Sequence, residues 1–244
     1  MPLSSRAARR LPVLLTAAAL ATGLAACGGD DDASSDAGKT TATTTATTAS
    51  TATTTTDATD AGCREVAAPE PRSGEPDAPR PKPARLSGRW TVRMATNCGS
   101  FTIRLDTKRQ PRTSASFVSL TKAGFFDGLT FHRISPGFVI QGGDPAGDGT
   151  GGPGYSVRET PPKDAAYTRG VVAMAKTGAE KAGTSGSQFF VVTGEDAGLP
   201  PDYAIVGKVT RGMDAVDRIA EQGTGADGPP ATPIVIQKAI ASAG

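Results

Sequence analysis

The sequence is poor in the groups from which many active sites are built. It has one histidine and three cysteines in 244 residues, so a zinc site with several protein ligands is nearly excluded. The net charge is only +2, with the basic residues spread along the chain. Nothing in that pattern reads as a nucleic-acid stripe, and no nucleic-acid partner is expected. The apolar run Leu11–Ala21 is too short to span a bilayer comfortably. Between Gly28 and Arg89 there is no aromatic residue. A packed core needs large apolar side chains to offset chain entropy, and that stretch lacks them. The one Trp, eight Phe and three Tyr all lie between Trp90 and Tyr203. One globular domain of roughly 150 residues is therefore expected after a long tail.

The tail divides by composition. Arg6, Arg9 and Arg10 precede the apolar run, as in an export signal. Leu24-Ala25-Ala26-Cys27 resembles the lipobox of bacterial lipoproteins. That resemblance implies a signal peptide over 1–26 and a lipid on Cys27. The chain would then sit on the outer face of the cytoplasmic membrane, or in the periplasm if a second membrane exists. The alternative is an ordinary signal peptide with a chance cysteine. Residues 27–88 read as a disordered tether. Of the residues from Thr40 to Thr59, 13 of 20 are Thr, and such a tract has nothing to bury. Six prolines from Pro69 to Pro83 suggest a semi-stiff spacer. Export would place Cys63 and Cys98 where disulfides persist. A bridge between them would staple the tether to the first hairpin. Two unpaired thiols remain the alternative, because sequence does not fix Cβ geometry.

From residue 89 to 244 the pattern is mainly strand-like. Trp90, Val92 and Met94 alternate with polar residues, as do Phe101, Ile103 and Leu105 beyond an Asn97-Cys98-Gly99 turn. Pro111 opens a helical stripe that Gly124 can end. Short strands are predicted over 129–134, 138–141, 171–175, 189–192, 204–209 and 234–240, with a second helix near Met213–Ala220. Many short strands with two helices suggest a closed β-barrel with helical caps.

The densest chemical signal is Phe131-His132-Arg133-Ile134-Ser135-Pro136-Gly137-Phe138-Val139-Ile140-Gln141-Gly142-Gly143-Asp144. Met174-Ala175, then Gly186-Ser187-Gln188-Phe189-Phe190, and finally Gly207-Lys208-Val209 follow in order. These blocks resemble the cyclophilin family of peptidyl-prolyl cis–trans isomerases over about residues 90 to 240. The resemblance implies a closed eight-stranded antiparallel barrel capped by two helices. It implies catalysis of X-Pro isomerisation without a covalent intermediate, metal or cofactor. Arg133 would be the electrostatic catalyst, with Gln141 and Phe138 beside it. Val139, Ala175, the backbone N–H of Lys176, Gln188, Phe190, Leu199 and Tyr203 would bind substrate. The partners implied are proline-containing peptides and unfolded exported proteins, met by a monomer held at the membrane by its lipid.

The chain also departs from the family. Val139 stands where Met is usual, Gly198 where many members carry Trp, and Tyr203 where many have His. Gly198 implies weakened cyclosporin binding. Val206 replaces a Phe and is expected to make a smaller pocket floor. Met174 and Gln188 lie 14 positions apart, a longer interval than usual, with the extra residues in Thr177–Gly186. These smaller walls leave a second reading open: a catalytically weak proline-peptide-binding chaperone or adaptor. Gly147, Gly149 and Gly152 satisfy G-x-G-x-x-G, but no helix follows to receive a pyrophosphate. Asp144 and Asp148 lack the other ligands of a calcium loop. His132 is expected to be structural, making local hydrogen bonds.

Overall fold

The computed structural model describes residues 62–72 and 78–244. The segment expected to be a signal peptide, Cys27 and the Thr-rich tract lie outside the described residues. Among those described, no helix is long and apolar enough to cross a membrane.

The domain is mainly β. Ten strands run in chain order as β1 (Trp90–Thr96), β2 (Gly99–Leu105), β3 (Arg133–Ser135), β4 (Val139–Gly142), β5 (Val157–Arg158), β6 (Val171–Met174), β7 (Thr184–Ser185), β8 (Phe189–Val192), β9 (Ile205–Arg211) and β10 (Ile236–Ala243). Eight of them form one antiparallel sheet, in the order β10-β1-β2-β9-β6-β8-β4-β3, while β5 and β7 pair separately. Helix α1 (Pro111–Lys122) and helix α2 (Met213–Ala220) complete the fold.

Alternation along the strands gives the sheet two unlike faces. Val92, Met94, Phe101, Ile103, Ile134, Ile140, Val172, Met174, Phe189 and Val191 turn into one core, which the helices complete with Phe117, Leu120, Val216 and Ile219. Phe189 lies at the centre of this core, edge-on to Phe117, Phe126 and Phe131 with centroids 5.5–5.9 Å away. The outward residues Val139, Val171, Ala173, Phe190 and Val192 form a second, smaller apolar cluster. Gly207 permits the close packing of β9 on β2: a Cβ there would run into the Arg104 carbonyl.

Helix α1 begins at Pro111 and lacks a side-chain cap at Gln110. Its orphan amides are met from a distance: Glu159 accepts from Arg112 and Thr113 N–H at 2.9 and 2.8 Å. Gly124, at φ +68°, ends the turn that follows.

Two expectations need correction. First, the barrel is not closed by its strand ladder. The ladder stops at β3 and β10, and only isolated bridges, Thr130 to Val235 and Ile134 to Gly228, cross the gap. Pro229, Pro230 and Pro233 interrupt the segment facing the gap, and proline has no N–H to donate. The strand predicted over 129–134 is accordingly reduced to Arg133–Ser135.

Second, the described part of the proline-rich segment does not stand free as a spacer. It is irregular but lies along the domain. Arg64 N–H donates to Asn97 O at 2.8 Å, Arg72 to Pro145 O at 2.8 Å, Ala78 to Pro153 O at 3.1 Å and Leu86 to Pro111 O at 2.8 Å. Arg72 also donates to Phe125 O at 2.8 Å, and Leu86 and Ala78 are buried. Proline presets an extended chain, and the N–H groups between prolines find loop carbonyls without ladder partners. At the start of this strap Cys63 is bonded to Cys98, in the β1–β2 turn.

Candidate active site

The site lies on the outward face of β3, β4, β8 and β6. Register places Arg133 opposite Gln141, Gln141 opposite Phe190, and Phe190 opposite Ala173. Four strands thus contribute one row in which a cation, an amide and an aromatic ring are neighbours.

Arg133 is held on two sides. Its Nη1 donates to Gln141 Oε1 at 2.9 Å. Its Nε and Nη2 donate to the two carboxylate oxygens of Asp227 at 2.7 and 2.6 Å. A guanidinium has five N–H groups, so one on each Nη remains uncommitted to these partners. The hydrogen bond to Asp227 pushes the guanidinium pKa further up, and Arg133 pulls the Asp227 carboxyl below the usual carboxylate range. Both groups stay charged, so Arg133 is a fixed positive donor and not a proton source.

The amide chain continues. Gln141 Nε2 donates to Gln188 Oε1 at 3.0 Å, and Gln188 Nε2 donates to Gly149 O and Gly151 O at 2.9 Å. This relay fixes which end of each amide faces its neighbour, so Gln141 presents oxygen to Arg133. The glycine loop is therefore an acceptor for Gln188. Buried Asp144 pins the loop by accepting from Ala146 and Gly149 N–H at 2.9 and 2.5 Å.

Beside Arg133 lies an apolar patch. Val139 and Phe190 are buried, with Phe138, Leu199 and Tyr203 packed against them. Tyr203 meets Phe190 edge-on at 5.6 Å, and Tyr167 supports Tyr203 from behind. Tyr167 donates to Tyr203 O at 2.7 Å and accepts from Tyr203 N–H at 3.0 Å. Ala175, Lys176 and Gln188 line an adjoining cavity of about 680 Å³, shared with Gln141 and Gly149–Ser156. The structure thus brings the residues named from sequence into two contiguous halves, one apolar and one polar.

Several features differ from the sequence reading. Val206 does not floor the pocket: it is fully buried in the inner core, and Ile205 takes the outward place. His132 makes no hydrogen bond through either ring nitrogen. Burial lowers its pKa from 6.5, against the opposing pull of Asp144, so the ring is held neutral. Asp227 and Tyr167 were not singled out from sequence. Asp227 lies 94 residues from Arg133 in a loop without periodicity. Only the isolated carboxylate within Gly-Ala-Asp-Gly hinted at it.

Comparisons with known proteins agree with this geometry. Residues 91–241 match the family model described as cyclophilin type peptidyl-prolyl cis-trans isomerase/CLD. A protein of Mycobacterium tuberculosis, described as probable peptidyl-prolyl cis-trans isomerase B, is 40% identical over 177 residues, covering 65% of this chain and 55% of that protein. This chain thus spans about half the length of the first curated relatives it matches. Peptidyl-prolyl cis-trans isomerase B of Bacillus subtilis is 47% identical over 105 residues, covering 43% of this chain and 71% of that protein. The crystal structure of a Cryptosporidium parvum cyclophilin type peptidyl-prolyl cis-trans isomerase, in the presence of the dipeptide Ala-Pro, superposes with a TM-score of 0.58. The identity is 28%, over 63% of this chain and 99% of that one.

Proposed function

Since this chain belongs to the cyclophilin-type peptidyl-prolyl cis–trans isomerase family, we propose that it accelerates X-Pro isomerisation by electrostatic stabilisation of the twisted amide. The C–N bond resists rotation because of its partial double-bond character. At the top of the barrier conjugation is lost, and the proline nitrogen becomes pyramidal with a free lone pair. A fixed donor aimed at that nitrogen binds the transition state better than either planar ground state. Arg133 has two uncommitted N–H groups for this, next to an apolar patch suited to a proline ring. No bond is made or broken, so the reaction calls for no cofactor. Gln188 and the Lys176 backbone N–H would hold the peptide on either side of the proline.

The observation that carries this reading is the double restraint on Arg133 by Gln141 and Asp227. Exchange NMR on an Ala-Pro peptide tests it. Exchange well above the spontaneous rate is expected, falling on the order of 100-fold in Arg133→Ala, as for a lost preorganised donor. A second reading has one observation in its favour. Gly198 is exposed with no atom near a would-be Cβ, so one wall beside Leu199 is bare, as in a weakly catalytic proline-peptide binder. Peptide shifts without exchange in either protein would establish that reading.

The same proposal includes export, a lipid on Cys27 and action as a monomer on unfolded exported proteins. Palmitate labelling that survives Cys27→Ser would refute the anchor.

A further inference from the structure

Cations scattered through the sequence are gathered by the sheet. On the outward side of β10, β1, β2 and β9, register sets Ile240, Arg93, Thr102 and Arg211 in one row and Ser242, Thr91, Arg104 and Lys208 in the next. Lys238 stands opposite Ala95 at the edge. None of these four strands contains an Asp or Glu. Arg104 and Lys208 are direct cross-strand partners, a pairing of like charges that weakens a sheet. Arg93, Arg104, Lys208 and Arg211 form no ion pair among the described residues. Of the nearby acids, Asp127 pairs with Lys238 and Asp164 with Arg109, each at 2.6 Å, while Asp106 accepts from Arg109 N–H at 3.1 Å and lines one cavity with Arg104 and Lys208. On β10, the edge strand of this face and directly opposite Arg93, is Ile240, the one exposed large hydrophobic among the described residues, at 47%.

We propose that this face docks on an anionic lipid bilayer. Like charges set side by side at a cost to the sheet, with an exposed isoleucine among them, break local rules without a structural return. Such a face complements a negative lipid surface, which attracts each nearby cation, while Ile240 enters the headgroup boundary. The choice of a bilayer rests on the proposed lipid at Cys27. Residues 28–62 could separate that lipid from Cys63 by at most about 120 Å, even fully extended. The bilayer is thereby the surface met at the highest effective concentration. Docking uses none of the strands β3, β4, β8 and β6, so the Arg133 face stays open to clients.

The test uses the chain from residue 27 onward, with Cys27→Ser to remove any lipid. It is sedimented with vesicles of pure phosphatidylcholine and with vesicles of equal parts phosphatidylcholine and phosphatidylglycerol. Binding to the second only is expected, lost at high salt. It should weaken on the order of 100-fold when Arg93, Arg104, Lys208 and Arg211 are all changed to Gln. That variant should keep its thermal melt and its turnover of a soluble peptide. Equal binding by both proteins, or none by the parent, overturns the proposal. Parent binding that emerges only after Asp30, Asp31, Asp32 and Asp36 are changed to Asn also overturns it, since the chain's own acidic segment would then be the occupant. Palmitate labelling, read separately, shows whether the anchor itself has failed.

Discussion

Asp227 sets the direction of Arg133 as much as it balances its charge. Two N–H bonds to one carboxylate fix the plane of the fork, while Gln141 alone would fix only one end. In Asp227→Ala the guanidinium should swing, and kcat should fall on the order of 10-fold with KM little changed. Asp227→Glu should recover part of the loss. Equal effects on kcat and KM would instead point to a disturbed pocket. His132 carries a pH dependence. Its folded pKa lies below its ordinary 6.5 because the ring is buried without a partner. Below pH 6.5 the unfolded chain therefore binds a proton that the folded domain refuses. Stability from this group is complete above that pH and is lost as pH falls below it. Denaturant melts between about pH 8 and pH 5 should show this slope, and His132→Phe should flatten it. Arg133 and Gln141 were legible in sequence because a hairpin brings residues eight apart in the chain into register. Asp227 and Tyr167 were not, because tertiary folding alone brings them to the site.

Among the elements, the strap departs most from its composition. A stretch without aromatic residues and with few large aliphatic ones cannot build its own core, but it can lie on a core built by others. Composition reports only the first. Leu86 and Ala78 are buried against the domain, and the N–H groups of Arg64, Arg72, Ala78 and Leu86 find acceptors there. The Cys63–Cys98 bond spans a sequence separation of 35. By loop-closure entropy its reduction should cost about 4 kcal/mol of stability. Urea unfolding with and without reductant checks this, and Cys63→Ser/Cys98→Ser should match the reduced protein. The hairpin and both helices were readable because apolar period, Pro111 and Gly124 agree. The short pair β5 and β7 was not, since two-residue strands carry no period.

At the scale of the whole molecule, the sheet is strongest at its centre. β6 and β8 are paired on both sides, whereas the gap beyond β3 is held by scattered bonds such as Phe131 N–H to Ile234 O and the reciprocal pair between Ile134 and Gly228. Hydrogen exchange should release the Phe131 and Gly228 amides well before that of Val191. Simultaneous exchange would mean that the gap opens only with global unfolding. The closed barrel read from sequence failed here because strand count and alternation say nothing about whether a last ladder forms. Three prolines in the facing segment decided that. The bond at Cys98 has a mechanical side. β1 runs antiparallel to β10, with Trp90 beside Ala243 and Thr96 beside Ile236. Tension between the chain upstream of Cys63 and the C-terminus enters β1 at its Thr96 end and β10 at its Ala243 end. It must shear the whole β1–β10 ladder at once. With the sulfurs reduced, the same pull arrives at Trp90 and unzips that ladder one rung at a time.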